Sequence, residues 1–159
     1  VKTESGKGTE FIIYLPAAKG KKPLKAKPLK PDMPSGSGKI LIVDDEEVIR
    51  NFAERTLENS GYSVLTSENR EGALNLYKKQ KPDLVILDVF MPGKSSVKTV
   101  NKLLKLDKKL KILLASGYPR NKDIDKILKS GSVNFMQKPF DAYSLATQVS
   151  NILKKPAPE

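Results

Sequence analysis

The sequence predicts an α/β domain in which a parallel sheet carries helices on both faces. Three observations lead there. Five apolar runs of strand length alternate with five stretches whose apolar residues recur at helical spacing. The clearest runs are continuous in aliphatic residues instead of alternating with polar ones, as in strands buried on both faces. Consecutive strand–helix units build parallel sheets, and right-handed crossovers leave few ways to connect them.

The elements follow in chain order. Residues 1–16 stand apart: Gly6-Lys7-Gly8-Thr9 leads into Glu10-Phe11-Ile12-Ile13-Tyr14-Leu15-Pro16, and two short strands around Gly6–Gly8 make a hairpin. A lone hairpin is marginal in water and needs a parent domain to pack on. Residues 17–37 hold Pro23, Pro28, Pro31 and Pro34 with lysines between them, closing on Gly36-Ser37-Gly38, and read as an extended linker.

From Gly38 to Lys155 the pattern becomes regular. Ile40-Leu41-Ile42-Val43 is a strand ending in Asp44-Asp45, and Ile49, Phe52, Ala53, Thr56 and Leu57 mark a helix stopped near Gly61. Tyr62–Thr66 is a weaker strand, followed by a helix through Ala73, Leu76 and Tyr77. Leu84-Val85-Ile86-Leu87 runs into Asp88, then a helix through Val97, Val100, Leu103 and Leu104. Ile112-Leu113-Leu114-Ala115 ends in Ser116, and Ile124, Ile127 and Leu128 give a short helix stopped at Gly131. Val133–Gln137 ends just before Lys138-Pro139, and Leu145, Val149, Ile152 and Leu153 mark the last helix. Residues 156–159 are a tail.

Composition removes several classes of chemistry. The 159 residues include no Cys, which excludes disulfides and cysteine-based metal sites or nucleophiles. With no His, the usual neutral-pH base is missing and the chain cannot supply its own phosphohistidine. The net charge of +11 includes six Lys against one Asp in residues 16–37. The basic residues are not interleaved with aromatics, so a solvated surface is the favoured account over nucleic-acid contact. No apolar run approaches the ~20 residues of a membrane span, and the chain reads as a cytoplasmic piece of a longer protein.

In open parallel sheets, sites form beyond the carboxyl ends of the strands. Asp44, Asp45, Asp88, Ser116 and Lys138 occupy those ends, so the fold would gather three carboxylates, a hydroxyl and an ammonium. Close carboxylates repel unless a cation sits among them, and a hard, oxygen-seeking ion such as Mg²⁺ answers that need. A carboxylate can also act as a nucleophile toward phosphorus. Taken singly, each residue has a plainer reading: Asp45 a helix N-cap, Asp88 a loop carboxylate, Lys138 a surface lysine, Ser116 a turn residue.

Together, Ile40-Leu41-Ile42-Val43-Asp44-Asp45-Glu46, Leu87-Asp88-Val89-Phe90-Met91-Pro92-Gly93, Leu114-Ala115-Ser116-Gly117 and Lys138-Pro139-Phe140 resemble the receiver domain of two-component response regulators over 38–155. The resemblance implies a flavodoxin-like five-stranded parallel sheet in the order 2-1-3-4-5. It implies Asp88 as phosphoacceptor, Asp45 as a direct Mg²⁺ ligand with Asp44 assisting through water, and the Phe90 carbonyl as a third ligand. Ser116 and Lys138 would contact the phosphoryl group, Gly117 would leave it room, Ser116 and Phe135 would be switch residues, and Lys138-Pro139 would be cis. The implied partner is a phosphohistidine donor, a histidine kinase or phosphotransfer domain. A homodimer through the fourth helix, fifth strand and fifth helix is a further expectation.

Two departures stand out: Ser96 replaces a frequent Gly, leaving the start of the third helix open, and Phe135, whose ring could equally be plain core packing, replaces the commoner Tyr. Residues 5–16 resemble the closing segment of histidine-kinase ATP-binding domains, which implies a hybrid kinase as parent, with neither ATP binding nor kinase activity in this piece. The alternatives are a receiver-like module that works without phosphate, a nucleic-acid binder using the linker, and a haloacid-dehalogenase-like phosphatase. The last usually carries a second Asp two residues on, where this chain has Phe90.

Overall fold

The computed structural model describes residues 1–16, 32–92, 95–120, 122–129 and 131–155. Most of the linker (17–31), the tail (156–159), Gly93 at the end of the second motif and Lys94 after it lie outside the described residues. The chain divides into two compact units at Pro31/Asp32.

In the first unit, strands β1 (Lys2–Glu4) and β2 (Gly8–Glu10) pair antiparallel around a turn in which Gly6 has φ +79°. Every residue of both strands is exposed. The strand expected to continue through Phe11–Leu15 ends at Glu10, and these five apolar residues are exposed. An extended segment without a pairing partner leaves its backbone groups to water and gains nothing from the ladder.

The second unit is a five-stranded parallel sheet with five helices. The order along the chain is β3 (Lys39–Val43), α1 (Glu47–Asn59), β4 (Ser63–Ser67), α2 (Arg70–Gln80), β5 (Leu84–Asp88), α3 (Ser96–Leu106), β6 (Lys111–Ser116), α4 (Lys122–Leu128), β7 (Val133–Gln137) and α5 (Ala142–Lys154). The strands lie in the order β4-β3-β5-β6-β7, all parallel, which is the expected 2-1-3-4-5 arrangement within this unit.

Side-chain alternation along each strand assigns the two faces. Ile40, Ile42, Leu84, Ile86 and Leu113 pack with Ala53 and Leu57 of α1 and Leu145, Val149 and Ile152 of α5. Leu41, Val43, Val85, Leu87, Ile112 and Leu114 pack on the other face with residues of α2, α3 and α4. Strands buried on both sides must be apolar at every position, which explains the continuous runs.

Local chemistry sets the helix ends. After α1, the Gly61 amide donates to the Glu58 carbonyl and the Tyr62 amide to that of Leu57, a Schellman closure. Gly61 has φ +93°, which a side chain would strain. The carbonyl of Gly36 lies 2.6 Å from where a Cβ on Gly61 would sit, and the Gly36 amide donates to Ser60 at 2.9 Å. Ordered packing of this unit thus begins inside the segment read as linker. Asn69 caps α2 by accepting from the Gly72 amide, and Asp141 caps α5 by accepting from that of Ser144. No described helix is long and apolar enough to cross a membrane.

Candidate functional site

The strand order reverses direction at β3: the chain runs outward to β4, then returns to β5 on the other side. Crossovers leaving on opposite sides open a crevice at the carboxyl ends of β3 and β5. The register pairs Val43 with Leu87, so the next residues, Asp44 and Asp88, emerge side by side. β7 delivers Lys138 to the same end, where its amide donates to the Ser116 carbonyl at 2.7 Å.

The acids do converge. Carboxylate oxygens of Asp44, Asp45 and Asp88 lie within 4.8 Å of one another, with Asp44 and Asp88 buried and Asp45 exposed. Lys138 Nζ lies 2.6 Å from Asp44 Oδ2, 3.1 Å from Asp88 Oδ1 and 4.0 Å from Glu46 Oε1. Asp44 Oδ1 accepts from the Glu46 amide and Asp88 Oδ2 from the Phe90 amide. Asp45 is not the cap of α1; Glu46 occupies that position without a side-chain cap bond.

Electrostatics follow from this crowding. Burial pushes the Asp88 carboxyl above its ordinary 3.8, and Asp44 adds to the rise. Lys138 and the Phe90 amide pull it back. For Lys138, burial works against the charged form, but hydrogen bonds to Asp44 and Asp88 outweigh it and the ammonium is held more firmly than usual. Three carboxylates against this one close ammonium leave a negative excess. Hard oxygen donors with such an excess suit Mg²⁺, so the residues present fit the ion that the sequence implies.

The other predicted residues surround this centre. Ser116 is fully buried, and its hydroxyl closes its own turn, donating to the Tyr118 carbonyl at 2.9 Å and accepting from the Tyr118 amide at 3.0 Å. A Cβ on Gly117 would meet nothing within 4 Å, so space beside it is open. Phe90 is 52% exposed, its ring centroid 4.6 Å from that of Tyr118. Phe135 is half-buried against the α2–α4 face, with the Arg120 guanidinium 5.7 Å from its ring centroid. The Lys138–Pro139 peptide is cis.

Sequence reasoning missed Arg70. It is 7% exposed, and its guanidinium reaches across to the loop that follows Asp88. Burial lowers its pKa, while Asp88 and Asp45 raise it, which places positive charge within reach of the acid cluster. Nothing in the local pattern announces this, since an arginine at the start of a helix is ordinarily solvated. Ser96 answers the open question about α3: it is the first helical residue, is buried, and donates to the Val89 carbonyl while accepting from Arg70.

Comparison with known proteins agrees with this geometry. The response regulator receiver domain model matches residues 40–150. The chain is 32% identical over 168 residues to the sensor kinase CckA of Brucella abortus, an alignment covering 96% of this chain but 17% of that protein. It is 29% identical to the sporulation initiation phosphotransferase F of Bacillus subtilis, covering 72% of this chain and 93% of that one. The crystal structure of the receiver domain of the hybrid histidine kinase CckA superposes with a TM-score of 0.62 at 32% identity, covering 74% of this chain and all of that one. Receiver domains take a phosphoryl group from a histidine kinase or phosphotransfer partner and bind Mg²⁺ through an acidic pocket. With that acidic cluster at the ends of β3 and β5 and a family match across most of its length, the chain belongs to the response regulator receiver domain family.

Proposed function

We propose that the protein accepts a phosphoryl group from a partner phosphohistidine onto Asp88 and thereby switches a partner-binding surface. The observation that carries this is Lys138 Nζ bridging Asp44 Oδ2 at 2.6 Å and Asp88 Oδ1 at 3.1 Å inside a cluster of three carboxylates. One Asp88 oxygen bonds to phosphorus as the P–N bond to the donor imidazole breaks, and the imidazole leaves with the electron pair. Water later attacks phosphorus, breaking the acyl-phosphate bond and returning Asp88 with inorganic phosphate. Lys138 pairs with Asp88 before transfer and with a phosphoryl oxygen after it. The Phe90 amide orients the carboxylate through Oδ2.

Asp45, Asp88 and the Phe90 carbonyl would hold Mg²⁺, with Asp44 assisting; Asp45 is the exposed acid of the three, while Lys138 and the Glu46 amide already engage Asp44. When bound, the ion neutralises charge gathering on the phosphoryl oxygens. Access runs past Gly117 and a cleft lined by Ile49, Phe52, Pro139 and Phe140 that opens beside Lys138. Ser116 would exchange its bonds to the Tyr118 backbone for a phosphoryl oxygen. That exchange re-forms the loop carrying Arg120 and so couples to Phe135.

The alignment with CckA extends over residues preceding the receiver region. It supports a hybrid histidine kinase as parent, with residues 1–16 closing its ATP-binding domain, 17–37 as linker and 38–155 as the cytoplasmic receiver. Self-association would use α4, β7 and α5. The test of the central claim is incubation with acetyl phosphate and Mg²⁺, followed by intact mass. Wild type gains one phosphoryl group and Asp88→Asn gains none; equal uptake by both would move the acceptor elsewhere.

A further inference from the structure

Arg70 begins α2, yet among the described residues its guanidinium donates to the loop after β5 and to the first residue of α3. Nη1 donates to the carbonyls of Met91 at 2.8 Å and Pro92 at 3.1 Å. Nη2 donates to the Val89 carbonyl at 3.2 Å and to Ser96 Oγ at 3.1 Å. Nε is also buried and has no hydrogen-bond partner among the described residues. A guanidinium taken this far out of water is costly, and the cost is offset only where its donors meet acceptors.

These acceptors flank Phe90. The Val89 carbonyl belongs to the peptide plane before it, and the Met91 carbonyl to the plane one beyond its own. Peptide planes are rigid, so bonds to both neighbours restrain the α-carbons at either end of the plane carrying the Phe90 carbonyl, and the turn left to that plane is rotation about the line joining them. The Phe90 amide, in the plane fixed at Val89, is the one that orients Asp88 Oδ2. Ser96 strengthens the arrangement by donating to the same Val89 carbonyl that Arg70 holds.

We propose that Arg70 is a positioning residue for the acidic pocket: its forked bonds to Val89, Met91, Pro92 and Ser96 hold the Phe90 carbonyl and the Asp88 carboxylate in the arrangement that binds a divalent cation. This rests on the reading of Asp45, Asp88 and Phe90 as the cation site. Geometry and charge act in opposite directions here. A positive charge near Asp88 and Asp45 opposes a second cation, so charge alone makes Arg70 a hindrance to Mg²⁺; the fork makes it a support. Lysine keeps the charge and loses the planar fork, and methionine loses both.

The experiment is Mg²⁺ titration of the intact chain, wild type, Arg70→Lys and Arg70→Met, by calorimetry and by the NMR shift of the Phe90 amide, with melting temperature recorded in parallel. Loss of support behind a ligand typically weakens metal binding about tenfold or more, and both variants are expected to show that. Arg70→Lys binding like wild type, or Arg70→Met binding more tightly, overturns the inference and leaves charge as the only effect. A lowered melting temperature with Mg²⁺ affinity intact also overturns it, because the residue would then serve stability alone. Should Arg70→Met not fold, Arg70→Lys and Ser96→Ala decide: both weaken Mg²⁺ binding if the fork positions the loop, and neither does if it does not. Wild type failing to bind Mg²⁺ is a different result, which removes the cation reading itself and the inference with it.

Discussion

Replacing Lys138 with methionine tests the electrostatic core of the site. The side chain keeps its length and apolar stem, but the ammonium between Asp44 and Asp88 is gone. The lysine side chain is 12% exposed and those of Asp44 and Asp88 are 5% and 8%, so both acids would be left with little water to replace it. Removing one partner from a buried pair costs about 3 kcal/mol or more. For a unit of this size, that corresponds to a fall in Tm of roughly 10 °C at neutral pH.

The pH dependence carries a sign. Burial already holds the Asp88 carboxyl above its usual value, and Lys138 restrains that rise. Without the ammonium the carboxyl climbs further. A carboxyl with a raised folded pKa binds its proton more tightly folded than unfolded, so stability recovers as pH falls through that pKa toward 3.8. The deficit of Lys138→Met is therefore largest at neutral pH and shrinks in mildly acidic buffer. Mg²⁺ supplies the missing positive charge and raises Tm more in the variant than in wild type. Thermal melts across pH, with and without Mg²⁺, provide the assay. A deficit that stays constant from neutral to mildly acidic pH, or no deficit at all, would refute the claim that Lys138 neutralises these acids.

Two further outcomes follow from the scaffold. Gly61→Ala places a Cβ at φ +93° and 2.6 Å from the Gly36 carbonyl; it should cost ~2 kcal/mol, read as a Tm lower by roughly 6 °C, and an unchanged Tm would mean the 36–61 contact is not maintained in solution. Asp141→Ala removes the acceptor for the Ser144 amide at the start of α5. That bond holds the Asp141 carboxyl below 3.8, so wild type's advantage is present at neutral pH and disappears as pH falls through the depressed value; an advantage persisting in strong acid would exclude the cap as its cause.

Much of this molecule is legible along the chain. Ile40–Val43, Leu84–Leu87 and Ile112–Ala115 are apolar at every position because both their faces are covered, and that pattern needs no partner to be recognised. Gly61 acts within a few residues of its own helix, so the end of α1 is written locally. Asp44, Asp45, Asp88 and Lys138 were legible for a related reason: each lies at the end of a strand or within two residues of it, and parallel strands deliver their ends to one edge. The apolar stripe of α1 was less informative, because Phe52 stays 41% exposed at the rim and pairs with the Phe140 ring instead of entering the core.

The sequence by itself thus determined the α/β class, the five units and the acids at their ends, because these depend on periodicity and on contacts a few residues apart. Tertiary structure alone decided that Lys138 pairs with Asp44, 94 residues away, that the Ser116 hydroxyl turns toward Tyr118, and that Arg70 grips the loop after Asp88. Those choices depend on which donors and acceptors are brought within about 3 Å of each other once water is excluded. An arginine in a sequence does not show whether its guanidinium will meet solvent or four acceptors twenty or so residues further along the chain.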